Sequence, residues 1–308
     1  MTSFDAFRYD GRRALVVGGA TGMGAAAAEL LQSAGADVVV MDFAEVSLPV
    51  ATAIRVNLAE KESIDAALDA CEGPVHALLS CAGVADGTPG IEKINFIGHR
   101  HIIDRLLADG LMPKGSAIGF ISSAAGLGWE ANLDRIKTYL ATPDFDSAVE
   151  WIAANGGADY MSTKQAMCAY VAIQAFPLMQ RGIRINAICP GPTDTPLAQA
   201  NKELWLGFGS DYRDELGVPA STPLEQGTRS CSYAVPRPRP SAGSPWSPTW
   251  GTSPPGSPRR SRRRRRPPTS SWVASDSEAS GEQFGRPAPP RRKGPNHPVL
   301  GEEGDSPA

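Results

Sequence analysis

Apolar residues along the first three quarters of the chain follow two alternating patterns. Short runs that are apolar at nearly every position, such as Ala14 to Val17 and Val38-Val39-Val40, are separated by longer stretches of amphipathic character. Continuous runs predict strands buried on both faces, and the longer period predicts helices. Strands are expected at 14–17, 37–42, 54–57, 75–81, 117–122 and 183–189, with helices at 23–33, 61–71, 91–109 and 159–181. Gly35 supplies the stop after the first helix. Strands separated by helices in this order predict an α/β fold, a Rossmann-like doubly wound parallel sheet with helices on both faces.

The pattern stops at Gln226. Beyond it the chain is Pro, Ser, Gly and Arg, with one leucine and no isoleucine. Residues 227–308 carry 13 Arg, 1 Lys and 6 acidic residues, so the net charge of −3 for the 308 residues hides about −11 on the first 226. Such a segment cannot bury enough apolar surface to offset its chain entropy, which predicts a folded domain at 1–226 and a disordered tail at 227–308. Glycines interrupt the apolar stretch near the N-terminus, and Asp5 sits where a signal peptide needs its apolar region. A cytoplasmic protein is expected. The five cysteines (Cys71, Cys81, Cys168, Cys189, Cys231) form no C-x-x-C pair and read as free, buried thiols.

Chemistry enters at the first strand-to-helix turn. Gly18-x-x-x-Gly22-x-Gly24 follows a predicted strand and opens a predicted helix. Missing side chains there let the backbone approach a pyrophosphate, while the helix N-terminus offers N–H groups and the positive end of its dipole. Glycines alone could make only a tight turn, but an acid, Asp42, ends the next strand where a ribose 2′-hydroxyl would lie. Asp42 would repel a 2′-phosphate, and neither Thr21 nor Phe43 offers a cation to hold one. NAD is therefore favoured over NADP.

Tyr160 and Lys164 stand four apart on a predicted helix and share a face. An ammonium and an oxidised nicotinamide beside the phenol both favour phenolate, drawing its pKa from near 10 towards the working range of a base. Ser123 falls at the C-terminal end of a central strand, the edge where such sheets bind ligands, and can donate to a substrate carbonyl. The Ser-Ala-Ala-Gly spacing and strand alternation favour it over Ser122. Asn95 is a poor helix former within a predicted helix, which suggests a buried amide bonded to backbone or water. His99 and His101, two apart on that helix, point to different faces and cannot pair as metal ligands. No metal site is expected.

On these residues the stretch from Asp10 to Gln226 resembles the short-chain dehydrogenases/reductases, NAD(P)-dependent oxidoreductases that are commonly dimers or tetramers. The resemblance implies a catalytic tetrad of Asn95, Ser123, Tyr160 and Lys164. Tyr160 would pass the proton, Ser123 orient the carbonyl, Lys164 bind ribose and lower the tyrosine pKa, and Asn95 hold a relay water. It implies a cofactor set of Gly18, Ala20, Thr21, Gly22, Met23, Gly24 and Asp42, the adenine-side pair Asn57 and Leu58, and Cys81, Ala82 and Gly83. Pro190, Gly191, Thr193 and Thr195 complete it around the nicotinamide, with Tyr160 and Lys164 reaching the ribose. The 37-residue spacing from Ser123 to Tyr160, with Trp129 and a helix predicted at 145–155 inside it, together with Cys81-Ala82-Gly83, is similar to the 3α-hydroxysteroid dehydrogenase/carbonyl reductase branch.

Val17 and Ser80-Cys81 depart from the family's usual Thr and Asn-Asn, which alters local hydrogen bonding but leaves the backbone approach at Ala82-Gly83. Residues 197–220, with Trp205, Leu206 and Phe208, read as an apolar lid suited to an apolar or aromatic alcohol or ketone. The family's last strand and its Asp-Gly-Gly turn find no match after Gly227. The Arg-over-Lys bias there is that of GC-rich DNA read in a shifted frame, which translation in the other two frames would test. The expected function is NAD-dependent interconversion of a secondary alcohol and a ketone on a small-molecule substrate, with homo-oligomer formation implied by the relatives and no membrane partner. The alternative is an impaired relative whose Arg259–Arg266 run, near Trp246, Trp250 and Trp272, binds nucleic acid or another polyanion.

Overall fold

The computed structural model describes residues 7–235. Six parallel strands form one sheet: β1 (Arg13–Val17), β2 (Asp37–Asp42), β3 (Thr52–Arg55), β4 (Ala77–Ser80), β5 (Ala117–Ile121) and β6 (Arg184–Ile188). Their order is β3-β2-β1-β4-β5-β6, so the winding reverses between β1 and β4 and opens a crevice at their C-terminal ends. Val17 pairs with Met41 on one side and Ser80 on the other, which brings Gly18, Asp42 and Cys81 to one rim.

The side-chain alternation of a strand explains why the runs are apolar at every position. Leu15, Val17, Val39, Met41, Leu78, Ile118 and Phe120 enter the core on one face, whereas Ala14, Val16, Val38, Val40, Ala77 and Leu79 enter a second core on the other. Each fully buried Val, Leu or Ile contributes about 1.5–3 kcal/mol, so both faces hold the sheet. Helices α2 (Lys61–Asp69), α3 (Gly98–Ala108) and α6 (Tyr160–Gln180) cover the first face. Helix α1 (Gly22–Ser33) covers the second.

Four differences from the sequence reading have physical causes. The third strand lies at Thr52–Arg55, two residues before the expected range, so Asn57 follows the strand and bonds the next turn. The helix expected at 91–109 opens with a π turn, Lys93–Ile97, that holds Asn95. The segment between Ser123 and Tyr160 holds α4 (Leu133–Leu140) as well as the expected α5 (Phe145–Asn155). Stacking of Tyr139 on Trp151, with centroids 5.1 Å apart, joins these two helices.

The fourth difference concerns the boundary at Gln226. Helix α10 (Pro223–Ala234) begins with a capping box between Thr222 and Glu225 and runs eight residues past that boundary, burying Gln226, Gly227, Ser230 and Ala234. Small residues three and four apart give it a narrow face that lies against α1. A Cβ on Gly227 would come within 3.1 Å of the Ala27 backbone nitrogen. The Tyr9 hydroxyl donates to the Cys231 carbonyl at 2.9 Å across the same contact. Composition averaged over the segment obscured this spacing, and residues 227–235 belong to the fold. The expectations for 236–308, including disorder, the shifted frame and the Arg259–Arg266 run, lie outside the described residues. No helix among the described residues is long and apolar enough to cross a membrane.

Candidate active site

A cavity of about 460 Å³ lies at the C-terminal ends of β4, β5 and β6. Its floor carries Ser123, Tyr160 and Lys164, and one wall carries Pro190, Gly191, Thr193 and Thr195. Met23, Cys81 and Gly83 approach from the glycine-loop side. Three of the four expected catalytic residues and the nicotinamide-side residues therefore converge on one space, whereas Asn95 does not line it.

The glycine loop is shaped by contact with the β4 rim. Gly18 has φ +87°, and a Cβ there would lie 2.3 Å from the Ala82 nitrogen; a Cβ on Gly24 would lie 1.9 Å from the Gly18 carbonyl oxygen. Only hydrogen atoms fit at both positions. Thr21 caps α1 with extended backbone and no side-chain bond, which leaves the N–H groups of the first turn facing the rim. Asp42 accepts from the Ala20 N–H at 2.8 Å and the Ala44 N–H at 2.9 Å, fixing its carboxylate beside the loop. Arg55, paired with Asp42 in the sheet register, lies over the Phe43 ring at 5.2 Å. Sequence reading missed this cation because it stands on the neighbouring strand. Leu58 is a core side chain, with its carbonyl against Gly98, whereas Asn57 caps the following turn.

Asp159 caps α6 by accepting from the Ser162 N–H at 2.7 Å, and this places Tyr160 at the first helical position. Asp86, which sequence reading also missed, accepts from the Tyr160 N–H at 2.6 Å and lines the cavity. Burial raises the Tyr160 phenol above its usual range, opposed by a hydrogen bond from Ser123. The expected lowering is thus not present in the protein by itself. Lys164 explains part of this: its ammonium donates to the Ile121 carbonyl at 3.0 Å and lies 5.5 Å from the Tyr160 ring centroid. Burial pushes Lys164 down to about 8.

Ser122 and Ser123 divide as their strand alternation requires. Ser122 is buried and donates to the Lys164 carbonyl at 3.0 Å, whereas the Ser123 hydroxyl caps the turn at Ala125 and lines the cavity with Tyr160. Asn95 is fully buried. Its amide oxygen accepts from Val84 N–H at 2.7 Å, and its amide nitrogen donates to Val84 carbonyl at 3.1 Å and Thr163 hydroxyl at 3.3 Å. The side chain thus clamps the loop segment after Gly83, the backbone-bonded arrangement among those expected. Thr193 bonds the Gly191 carbonyl, and Thr195 caps α7 (Pro196–Ala200) by accepting from Ala198 at 3.1 Å.

His99 and His101 diverge. His99 meets the Ala82 carbonyl at 3.1 Å, whereas His101 meets Asp65 at 2.8 Å. Burial pushes His99 down to about 4 from 6.5. Between those values the unfolded chain binds the proton that the folded protein refuses, so stability falls as pH drops from 6.5 to 4. A His99→Gln variant, which keeps a donor for Ala82, is expected to lose roughly 3 kcal/mol of this acid sensitivity. Urea unfolding of both proteins at pH 7 and pH 4.5 checks it; parallel pH dependences would rule it out.

The lid follows α7 as α8 (Lys202–Trp205) and α9 (Ser210–Leu216). Trp205 packs on Tyr160 with centroids 4.7 Å apart and planes tilted by 40°, and Leu204 and Phe208 complete an apolar roof.

With this geometry in view, the comparisons with known proteins agree. The family model described as Enoyl-(Acyl carrier protein) reductase matches residues 145–206. Cis-4-hydroxycyclohexanecarboxylate dehydrogenase of Sinomonas cyclohexanicum is 32% identical over 199 residues, covering 60% of this chain and 75% of that enzyme. The 3-alpha-hydroxysteroid dehydrogenase/carbonyl reductase of Comamonas testosteroni is 30% identical over 60% of this chain and 74% of the relative. Among solved structures, 3-alpha-hydroxysteroid dehydrogenase from Pseudomonas sp. B-0831, complexed with NADH, superposes with a TM-score of 0.55 at 27% identity, covering 70% of this chain and 87% of that one. The chain belongs to the short-chain dehydrogenase/reductase family, oxidoreductases acting on CH–OH groups.

Proposed function

We propose that this protein interconverts a cyclic or aromatic secondary alcohol and its ketone with NAD as the hydride carrier. One observation carries the reading: Tyr160 and Ser123 line one apolar-roofed cavity together, with the Lys164 ammonium buried behind them. Ser123 orients the substrate oxygen, and Tyr160 takes its proton during oxidation and returns it during reduction. Lys164 supplies positive charge beside the phenol, while Asn95 acts as a positioning residue that fixes the Val84 backbone.

The cradle fits a dinucleotide, because Gly18 and Gly24, where only hydrogen fits, let the loop fold tightly against the β4 rim at the N-terminus of α1. When bound, NAD supplies the carbon that accepts or donates hydride. Names of the relatives favour ring-bearing alcohols, in keeping with the Trp205 and Phe208 roof. The catalytic unit extends through α10, and the chain that follows has no part assigned in the reaction.

Asp42 carries the preference for NAD, since its fixed carboxylate repels a 2′-phosphate. Titration of the full-length protein with NADH and NADPH is expected to favour NADH. An Asp42→Ala change should move the affinity ratio towards NADPH by at least about tenfold, which is about 1.4 kcal/mol, with Arg55 then free to pair with the extra phosphate. A ratio unaltered by the change would remove Asp42 from this role. Ketone-dependent NADH oxidation, screened with cyclic and aromatic ketones, tests the reaction itself; absence of turnover with bound cofactor would overturn the proposal.

A further inference from the structure

Two cysteines that the proposed reaction does not use meet behind the cavity floor. Cys168 lies one turn after Lys164 on α6, and Cys189 lies one residue beyond β6, immediately before Pro190. Their sulfurs are 3.7 Å apart, and both residues are half-buried rather than sealed in the core. Ser122, the serine turned away from the substrate side, reaches the Cys168 sulfur at 3.3 Å. We propose that Cys168 and Cys189 form a peroxide-sensitive dithiol that closes to a reversible disulfide.

The surroundings divide the labour between the two sulfurs. Hydrogen bonds from the Cys168 thiol and from the Ser123 backbone favour thiolate at Cys189, and the Lys164 ammonium adds positive charge. Cys168 is driven the other way, holding its proton. A thiolate is the nucleophile towards peroxide, and a neighbouring thiol is what resolves the product. In the first step the Cys189 sulfur forms an S–O bond as the O–O bond of hydrogen peroxide breaks, and the departing hydroxide takes a proton to become water. In the second, the Cys168 sulfur attacks the sulfenyl sulfur, the S–S bond forms, and the S–O bond breaks. The leaving hydroxide takes the Cys168 proton, giving a second water. Two thiols lose two electrons in total and one peroxide gains them.

A disulfide requires sulfurs about 2.05 Å apart, so closure needs a further approach of about 1.7 Å. Side-chain rotation and a small shift of α6 towards β6 supply it, because Cys168 sits on α6 and Cys189 directly follows β6, two elements already packed together. The cross-link would tie the turn after Lys164 to the segment leading into Pro190.

The test treats the native full-length protein with one to a few equivalents of hydrogen peroxide, alkylates the remaining thiols and maps the peptides by mass spectrometry. Expected are loss of two of the five free thiols, one peptide pair joined through Cys168 and Cys189, and a return of both thiols with dithiothreitol. A Cys168→Ser variant should stop at sulfenic acid on Cys189, trapped by dimedone, and a Cys189→Ser variant should leave Cys168 reduced. Cross-linking through any other cysteine, sulfinic acid on Cys189 of the unaltered protein without a disulfide, or unreacted Cys189 in both proteins would each overturn the proposal. These readouts are chemical and stand apart from turnover, so a failed substrate screen leaves them intact.

Discussion

Replacing Tyr160 by phenylalanine is expected to cut turnover by about a hundredfold to ten-thousandfold while leaving NADH binding nearly unchanged. The change removes one oxygen. The ring stays under Trp205, where the centroids are 4.7 Å apart, and the cap at Asp159 that sets the start of α6 is untouched. What disappears is the hydroxyl beside Ser123, the one phenol lining the cavity among the described residues and the group that passes the substrate proton in the proposed chemistry. Steady-state rates and a fluorescence titration of the same preparation separate the two effects. Turnover within a few-fold of the unaltered protein would reject Tyr160 as the acid/base. A parallel loss of NADH binding would instead show that the ring positions the cofactor.

The second large effect is expected from Gly24→Ala. The new methyl would fall 1.9 Å from the Gly18 carbonyl oxygen and 3.0 Å from the Cys81 side chain. Gly18 cannot retreat, because it is packed so closely on the Ala82 backbone that a Cβ on it would lie 2.3 Å from the Ala82 nitrogen, and its N–H is bonded to the Met41 carbonyl. The glycine loop must therefore open. Overpacking of this kind costs about 1–3 kcal/mol, and the strain falls at the place where a pyrophosphate would approach. NADH affinity is expected to fall by more than about tenfold, roughly 1.4 kcal/mol, with a lowered melting temperature and a retained far-UV circular dichroism spectrum. Unaltered affinity would show that the loop does not cradle the cofactor; a lost spectrum would show that this contact governs folding as well.

The parallel sheet was legible because β1, β2, β4 and β5 are buried on both faces, and burial on both faces leaves an unbroken apolar run that needs no partner to be seen; the exposed edge strand β3 has no such run and was placed two residues late. The order of the motifs was legible for a related reason. A doubly wound sheet carries its loops to one edge, so a glycine loop, an acid after the second strand, a serine after the fifth and a Tyr-x-x-x-Lys helix end up together whenever the strands form. Ser123 was separable from Ser122 by alternation, and the structure turns Ser122 towards the Lys164 carbonyl as that alternation requires. The helix that continues past Gln226 was not legible, because small residues pack by fitting closely against a particular neighbour and contribute little to a hydropathy pattern. Helix α4 was missed for a similar reason: it is short, and its two buried side chains, Ile136 and Tyr139, find their partners on other helices.

The sequence by itself determined the sheet, the positions of its loops and most of the groups at the cavity, Asp86 apart, because these follow from periodicity and from residues adjacent in the chain. Only the tertiary structure decided the state of those groups. Tyr160 is raised and Lys164 lowered by burial, Asn95 is spent on the Val84 backbone, Arg55 reaches Phe43 from the next strand, and Cys168 meets Cys189 across 21 residues. Each of these depends on desolvation or on contact between elements distant in the chain, quantities that exist only once the chain has folded.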